Sequence, residues 1–328
     1  MLTGESSLSQ TVEVQVLDID LDNTVIVVAG PTASGKSSLA IALAEFYGGE
    51  IVNADSMQVY KEFAVLTARP SKDDEKRVPH HLYGVMSAAE PCSAGHWLEM
   101  AVPCIEDIRA RGQLPIVCGG TGLYLRVLGE GIAPVPDIPT GVLNEAASLY
   151  DQIGGPAFRE RLALVDPEGA ATLEPGDRQR LIRAYSVYQA TGRTLRGWQV
   201  DQNPEPPLDV RIFTIHLIPP RDQLYARIEA RFDQMIVEGA MAEVEAVQKQ
   251  ILDPNLPALK ALGVPDFERY LAGNTSLEEA IAKAKQGTRN FAKRQLTWFR
   301  NQSDADLLIE DFGGEASFDK VRTTLGQG

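Results

Sequence analysis

The residues best suited to chemistry lie near the start of the chain. Gly30, Gly35, Lys36 and Ser37 fit the spacing G-x-x-x-x-G-K-[ST] within the run Gly30-Pro31-Thr32-Ala33-Ser34-Gly35-Lys36-Ser37. Glycines let backbone N–H groups turn toward an anion, the lysine adds a full positive charge, and the serine hydroxyl can ligate Mg2+. Asp55 ends the apolar run Glu50-Ile-Val-Asn-Ala-Asp55. An acid there can face a bound phosphate, and it is equally the residue type that caps a following helix. A second glycine loop, Gly119-Gly-Thr121-Gly122, offers another hydroxyl. Arg227 and Arg231 stand four apart, on one face of a helix, and would suit a diphosphate or a solvated basic edge. These groups specify polyphosphate and metal. They do not specify ATP.

The elements that must position these groups can be read from side-chain pattern. Thr24 to Val28 is a β-branched run, and Ser38 to Glu45 is helical, so the first glycine loop sits between a strand and a helix, as a phosphate cradle requires. Leu114–Cys118 and Val210–Leu217 predict further strands, and Glu50–Asp55 another. Helices are expected over Ser93–Arg111, over Arg221–Glu238 with the stripe Leu224, Ile228, Phe232, Met235, and over Glu278–Arg300. Proline-rich stretches at 133–139 and 204–207 bracket a segment with helical patterning. The expected fold is α/β, a P-loop NTPase-like, mostly parallel sheet with a helical insertion subdomain. Its core would comprise residues 24–135 and 205–328, its insertion 136–204, and residues 1–23 would be a flexible polar leader without signal-peptide character.

Forty-five acids against 31 bases give a net charge of −14, which argues against nucleic acid if charge is taken globally. Placement qualifies that reading. Lys283, Lys285, Arg289, Lys293, Arg294 and Arg300 follow one another without an acid, as do Arg178, Arg180, Arg183, Arg193 and Arg196. Two basic blocks on an acidic protein fit a phosphate-backbone binder, or two solvated faces. Cys92, Cys104 and Cys118 form no C-x-x-C pair, so zinc is not expected and a reduced, cytoplasmic setting is. His80 and His81 lack a third ligand at metal-binding spacing and are assigned a structural or substrate-edge role. No stretch has the length of a membrane span.

The ordered motifs resemble the tRNA dimethylallyltransferase (tRNA isopentenyltransferase) family. They are Gly30–Ser37, Asp55-Ser-Met-Gln-Val-Tyr-Lys61 with Thr67-Ala-Arg-Pro70, Gly119–Tyr124, Asp177-Arg-Gln-Arg-Leu-Ile-Arg183, Arg227–Phe232, and Arg289-Asn-Phe-Ala-Lys-Arg-Gln-Leu-Thr-Trp298. The resemblance implies transfer of a dimethylallyl group from dimethylallyl diphosphate to N6 of the adenine beside the tRNA anticodon, with Mg2+ as cofactor. It implies that Asp55 takes the N6 proton, that Thr121 lies beside the adenine and that Lys36 and Arg231 bind diphosphate. It further implies that Gly30, Pro31, Thr32, Ala33, Ser34, Gly35, Lys36 and Ser37 cradle the diphosphate, with Ser37 near the metal. Asp55, Ser56, Met57, Gln58 and Thr121, and in the insertion Gln179, Arg180, Leu181, Ile182 and Arg183, would touch tRNA. A monomer is expected. The chain departs from the family pattern at Gly263-Val264-Pro265-Asp266, where many relatives read Gly-Tyr-Arg-Gln, and at Leu143, where an arginine is frequent. The residues alone leave open a P-loop small-molecule or nucleotide kinase, and an RNA-binding protein with an idle P-loop.

Overall fold

The computed structural model describes residues 19–201 and 204–326. The leader expected at 1–23 lies outside the described residues as far as position 18. From Ile19 the chain is part of the fold. Ile19 is buried, Leu21–Asn23 form a 3-10 turn capped by Asp20, and Thr24 Oγ1 donates to the Asp20 carbonyl at 2.6 Å.

The first elements alternate between strand and helix: β1 (Thr24–Ala29), α1 (Lys36–Tyr47), β2 (Gly49–Asn53), α2 (Lys72–Arg77), β3 (His80–His81), α3 (Ala94–Ala110), β4 (Leu114–Gly119) and α4 (Gly122–Glu130). Four helices follow without a strand among the described residues: α5 (Thr140–Ala163), α6 (Pro167–Thr172), α7 (Arg178–Thr191) and α8 (Leu195–Asp201). The sheet resumes with β5 (Arg211–Leu217), then α9 (Arg221–Glu238), α10 (Ala240–Gln248), α11 (Val264–Leu271), α12 (Leu277–Asn301), β6 (Leu307–Ile309) and α13 (Glu315–Thr324). All strand pairings are parallel, in the order β3-β2-β4-β1-β5-β6.

β1 sits at the centre because every one of its six positions is buried, and a strand covered on both faces must be apolar throughout. Val25, Val27 and Ala29 point into a core shared with α3, α4 and α9 to α12. Ile26 and Val28 point the other way, onto Leu39, Ile41 and Leu43 of α1 and Val321 of α13. β3 and β6 were not foreseen, being too short for an alternating pattern to show. β3 contains the two histidines. His81 Nε2 lies 2.6 Å from Glu50 Oε2, and His80 Nδ1 lies 2.9 Å from the Val78 carbonyl, so both serve the sheet edge. Arg111 holds the same buried Glu50 from the other side through two nitrogens, and this pairing keeps the Glu50 carboxyl below the usual carboxylate range.

The chain separates into two compact units, one carrying the sheet to Gly129 and again from Leu208, the other Glu130–Pro207. The second unit is therefore a few residues wider at each end than the 136–204 read from prolines. It has its own small core, with Phe158 and Leu162 of α5 against Leu181, Ile182 and Tyr185 of α7. Within α5 the helix is broken at Gly154, which takes a left-handed φ of +78°. A Cβ on the next residue, Gly155, would lie 2.0 Å from the Pro175 carbonyl, so that close approach also requires glycine.

His216 on β5 is 1% exposed, with Ser303 Oγ 3.2 Å from its Nε2 and the Phe299 ring against it. Burial pushes its pKa down to about 4, although Asp304 and Asp306 oppose the shift. The folded state thus keeps His216 neutral where the unfolded chain protonates it. Its effect on stability is nil above the unfolded value near pH 6.5 and grows unfavourable as pH falls toward 4. Urea denaturation should show unfolding free energy about 2 kcal/mol lower at pH 5 than at pH 7.5 from this group. His216→Phe should remove that part of the slope.

Candidate active site

The first glycine loop is shaped by two close approaches. A Cβ on Gly30 would lie 2.7 Å from the Leu217 carbonyl of β5, and one on Gly35 would lie 2.7 Å from the Gly313 carbonyl. Gly35 has a φ of +85° and opens α1, and Ala33 also takes a left-handed φ of +66°. Gly313 N–H donates to the Ser34 carbonyl at 2.8 Å. The segment after β6 therefore braces the loop from outside, a contact that spacing alone did not reveal. Lys36 Nζ reaches back to the Pro31 carbonyl at 3.4 Å, and the Ser37 side of the first helical turn is exposed.

Asp55 is positioned by the buried Asn53 at the end of β2. Asn53 Oδ1 accepts from Asp55 N–H at 2.8 Å, and its Nδ2 donates to the carbonyls of Asp55 (3.0 Å) and Leu82 (3.1 Å). Trp97 Nε1 donates to the Asn53 carbonyl at 2.8 Å. Asp55 Oδ1 then accepts from Met57 N–H at 2.9 Å, which closes an Asx turn; the segment after it is a turn and no helix, so the helix-cap alternative does not apply. The other carboxylate oxygen accepts no hydrogen bond among the described residues. Beside it, Thr121 Oγ1 accepts from Ser56 N–H at 2.9 Å, and Thr121 N–H donates to the Ala54 carbonyl at 3.2 Å. Gly119 lies flat on the Ala54 peptide, where a Cβ would fall 2.1 Å from the carbonyl oxygen.

The third group comes from α9. Arg231 donates through Nη2 to Thr32 Oγ1. Burial lowers both the Lys36 ammonium and the Arg231 guanidinium from their ordinary pKa ranges, and the Asp55 charge works against that in each case. Two desolvated cations against one carboxylate leave the site short of negative charge. The cavity beside them has a volume of about 250 Å3. Thr32, Asp55, Ser56, Thr67, Thr288, Arg231, Lys260 and Arg294 form its polar side, and Leu66, Ile228, Phe232, Met235, Leu262 and Phe291 its apolar side. Glu243 of α10 fixes one wall by accepting the N–H groups of Ala64, Val65 and Leu66 at 2.8–2.9 Å.

The structure thus gathers Thr32, Asp55, Ser56, Met57 and Arg231 around one cavity, with Lys36 and Thr121 hydrogen-bonded or charge-coupled to them. Several expectations change. Gln58 Nε2 donates to the carbonyls of Thr67 and Ala68 at 2.8 and 2.9 Å, so its amide nitrogen fastens a loop. Leu181 and Ile182 are 0% and 8% exposed in the core of the insertion, and only Gln179, Arg180 and the half-buried Arg183 remain on its surface. Arg227 stacks on Phe312 at 4.4 Å while Arg231 alone turns to the loop. At least four of the eleven residues of the two basic blocks are paired with acids on neighbouring helices. Lys285 pairs with Asp233 at 2.6 Å, Arg289 with Glu229, Arg178 with Asp151 at 2.8 Å and Arg196 with Glu168 at 3.3 Å. Counting charges along one helix misses acids on its neighbour. At the departure Gly263–Asp266, Val264 is fully buried and packs in the core.

A parallel sheet with this phosphate loop after its central strand defines a P-loop, NTPase-like α/β protein. Comparison with known proteins narrows this. The IPP transferase family model matches residues 58–302 and the isopentenyl transferase model residues 23–81. A tRNA dimethylallyltransferase of Rhodospirillum centenum is 51% identical over 85% of this chain and 88% of its own. The crystal structure of a full-length tRNA isopentenylpyrophosphate transferase from Bacillus halodurans is 31% identical, with a TM-score of 0.66 over 92% of this chain and 94% of that one. A eukaryotic dimethylallyltransferase acting on tRNA is 26% identical, with a TM-score of 0.75 over 93% and 77%. The chain belongs to the IPP transferase family, whose curated relatives are tRNA dimethylallyltransferases.

Asn53→Ala should strand Asp55 N–H and the part-buried carbonyls of Asp55 and Leu82. An unsatisfied buried group costs about 1–3 kcal/mol, so the variant should lose about 3 kcal/mol in urea denaturation. Asn53→Asp should lose nearly as much, since an ionised carboxylate cannot donate to those carbonyls.

Proposed function

We propose that the protein transfers a dimethylallyl group from dimethylallyl diphosphate to N6 of the adenine next to the anticodon of tRNA, releasing diphosphate. The observation that carries this reading is one cavity in which Asp55 with an unengaged oxygen, the desolvated Arg231 and an apolar wall meet beside the phosphate loop. Two cations without sufficient counter-charge suit a diphosphate, and the apolar wall suits a five-carbon chain. The competing kinase reading needs a nucleoside triphosphate, and the family match favours the prenyl donor.

On this reading the backbone N–H groups of Gly30–Ser37, with Lys36 and Arg231, hold the diphosphate. Adenine N6 attacks C1 of the donor, the C1–oxygen bond breaks, and the N6 proton passes to Asp55. Lys36 and Arg231 stabilise the charge that grows on the leaving diphosphate. Thr121, fixed on Ser56 N–H, would sit beside the adenine. Mg2+ fits the site in one respect. Ser37 is exposed in the first turn of α1, beside the phosphate loop, and Mg2+ keeps several waters and binds substrate phosphate, so it needs few protein ligands. Ser37 would supply the protein oxygen; when bound, the ion would neutralise phosphate charge. The acceptor tRNA would be gripped through Gln179, Arg180 and Arg183 on α7, with Ser56 and Met57 near the target base. We place the protein in the cytoplasm as a monomer; no described helix is long and apolar enough to cross a membrane.

Incubation with labelled dimethylallyl diphosphate or labelled ATP, with and without tRNA, tests the reading, and label moving from ATP and not from the prenyl donor would overturn it. Asp55→Asn keeps shape and hydrogen-bond acceptance but cannot act as a base. Single-turnover transfer at saturating donor and tRNA should fall about 10²–10⁴-fold while both substrates still bind. Arg180→Ala should weaken tRNA binding and reduce the slope of log K against log salt by about 1, leaving donor affinity unchanged. Arg183→Ala should do less, because Arg183 is half-buried and the nearby Asp137 offsets part of its charge.

A further inference from the structure

We propose that Gln295 is a positioning residue that holds the donor loop and the acceptor loop in register for transfer. The inference rests on the function proposed above. Gln295 lies on α12 and is 5% exposed. Its Oε1 accepts from Thr32 N–H at 2.9 Å, and its Nε2 donates to the Gly120 carbonyl at 2.9 Å. One amide therefore joins the loop after β1 to the loop after β4. Among the described residues no hydrogen bond runs directly between these loops, although they touch: a Cβ on Gly120 would lie 3.0 Å from the Gly30 carbonyl and 2.3 Å from Gln295 Nε2.

Both ends of the amide stop one step from groups with assigned roles. Thr32 takes the Arg231 guanidinium on its hydroxyl, so the donor end reaches the cation that would hold diphosphate. Gly120 precedes Thr121, whose hydroxyl accepts from Ser56 N–H, next to Asp55. The acceptor end therefore reaches the base and the adenine site. Only an amide meets the requirement. Thr32 N–H needs an acceptor and the Gly120 carbonyl needs a donor, and a carboxylate or an apolar side chain of equal length supplies at most one of these. α12 is itself seated on the acceptor loop, since a Cβ on Gly122 would lie 2.5 Å from the Trp298 ring. Transfer requires N6 and C1 within about 3–3.5 Å and in line, and a 1 Å misplacement can cost about 100-fold. Register between the two loops is therefore a rate-controlling dimension, and Gln295 sets it without touching either substrate.

The test uses the full chain with Gln295→Glu, which keeps length and acceptor, and Gln295→Met, which keeps length alone. Single-turnover transfer of labelled dimethylallyl to tRNA at saturation should slow about 10-fold in the first and about 100-fold in the second. Equilibrium binding of donor and of tRNA, measured separately, should change less than about 3-fold. Hydrogen exchange without substrates should quicken in the peptides containing Thr32 and Gly120 in Gln295→Met, and in the peptide containing Gly120 in Gln295→Glu. A merely structural glutamine would lower the folded fraction and leave the saturated rate per folded molecule unchanged. Rates within about 3-fold of wild type, a loss confined to donor KM, or unchanged exchange in both loops would each overturn the proposal. If Gln295→Met does not fold, Gln295→Glu carries the rate, the binding and the Gly120 exchange readouts. A wild-type protein that transfers nothing from dimethylallyl diphosphate would sink the functional reading, and the exchange experiment would still decide whether Gln295 joins the loops.

Discussion

Everything at the functional edge of this protein depends on how loop backbone is satisfied where the parallel strands stop. A strand within a sheet has its N–H and C=O groups paired. The residue after its last pair has none, and burial there is costly without a partner. β1, β2 and β4 end side by side, so three sets of loop groups compete for partners in one small region. The chain meets this demand with side chains that imitate backbone. Asn53 pairs with Asp55 and Leu82, Gln295 with Thr32 and Gly120, and Glu243 with three successive N–H groups. The glycines answer the same pressure from the other side: at Gly30, Gly35 and Gly119 the neighbouring peptide comes so near that a Cβ would collide with it.

That rigid edge lets charge be left uncompensated. Elsewhere in the chain several cations are matched by acids: Arg111 by Glu50, Arg178 by Asp151, Lys285 by Asp233. At the phosphate loop the acid near both Lys36 and Arg231 is Asp55, and both cations are held out of water. Removing a charge from water without a partner is unfavourable, so such an arrangement persists only where surrounding structure prevents the side chains from escaping. Arg231 is pinned on Thr32, and the Lys36 amine on the Pro31 carbonyl. An overall charge of −14 makes the local excess more telling, because a polyanion approaching at random meets repulsion and only the basic surfaces are permissive.

The sequence revealed the parts of this design that repeat locally. β1, β4 and β5 carry continuous β-branched or apolar runs, α9 carries a four-residue stripe, and the phosphate loop has a fixed spacing; each was legible to within a residue or two. Two-residue β3 and three-residue β6 have no period to detect, and their place in the sheet is set by partners far away in the chain. The same limit applied at the site. Asp55 and the pair Arg227 and Arg231 stood out by residue type and spacing, and only the family resemblance singled out Arg231. Asn53, Glu243 and Gln295 did not stand out, because their roles exist only when a loop from elsewhere lies against them; Gln295 meets Thr32 across 263 residues of chain. Leu181 and Ile182 failed in the opposite sense, since a family segment was carried over whole although helical periodicity turns two of its five residues inward.

A phosphate loop reads only the end of its ligand. Its N–H groups and lysine contact phosphoryl oxygens, and those are alike in a nucleoside triphosphate and in a prenyl diphosphate. What lies one side chain farther out must therefore decide between them. Here one wall of the cavity is Leu66, Ile228, Phe232, Met235 and Phe291, an apolar surface that offers no side-chain hydrogen bond to a ribose or a purine laid against it. A ribose placed against it would lose the water on its hydroxyls without replacement, a cost of the order of 1–3 kcal/mol for each unsatisfied group. A dimethylallyl chain loses nothing by the same transfer and gains about 0.8 kcal/mol for each buried methylene. On the proposed reading, a prenyl donor in place of a nucleotide needs no alteration of the loop itself. It needs an apolar wall, a hydrogen-bonded anchor such as Glu243 that keeps Leu66 in that wall, and a base held where the second substrate can reach it.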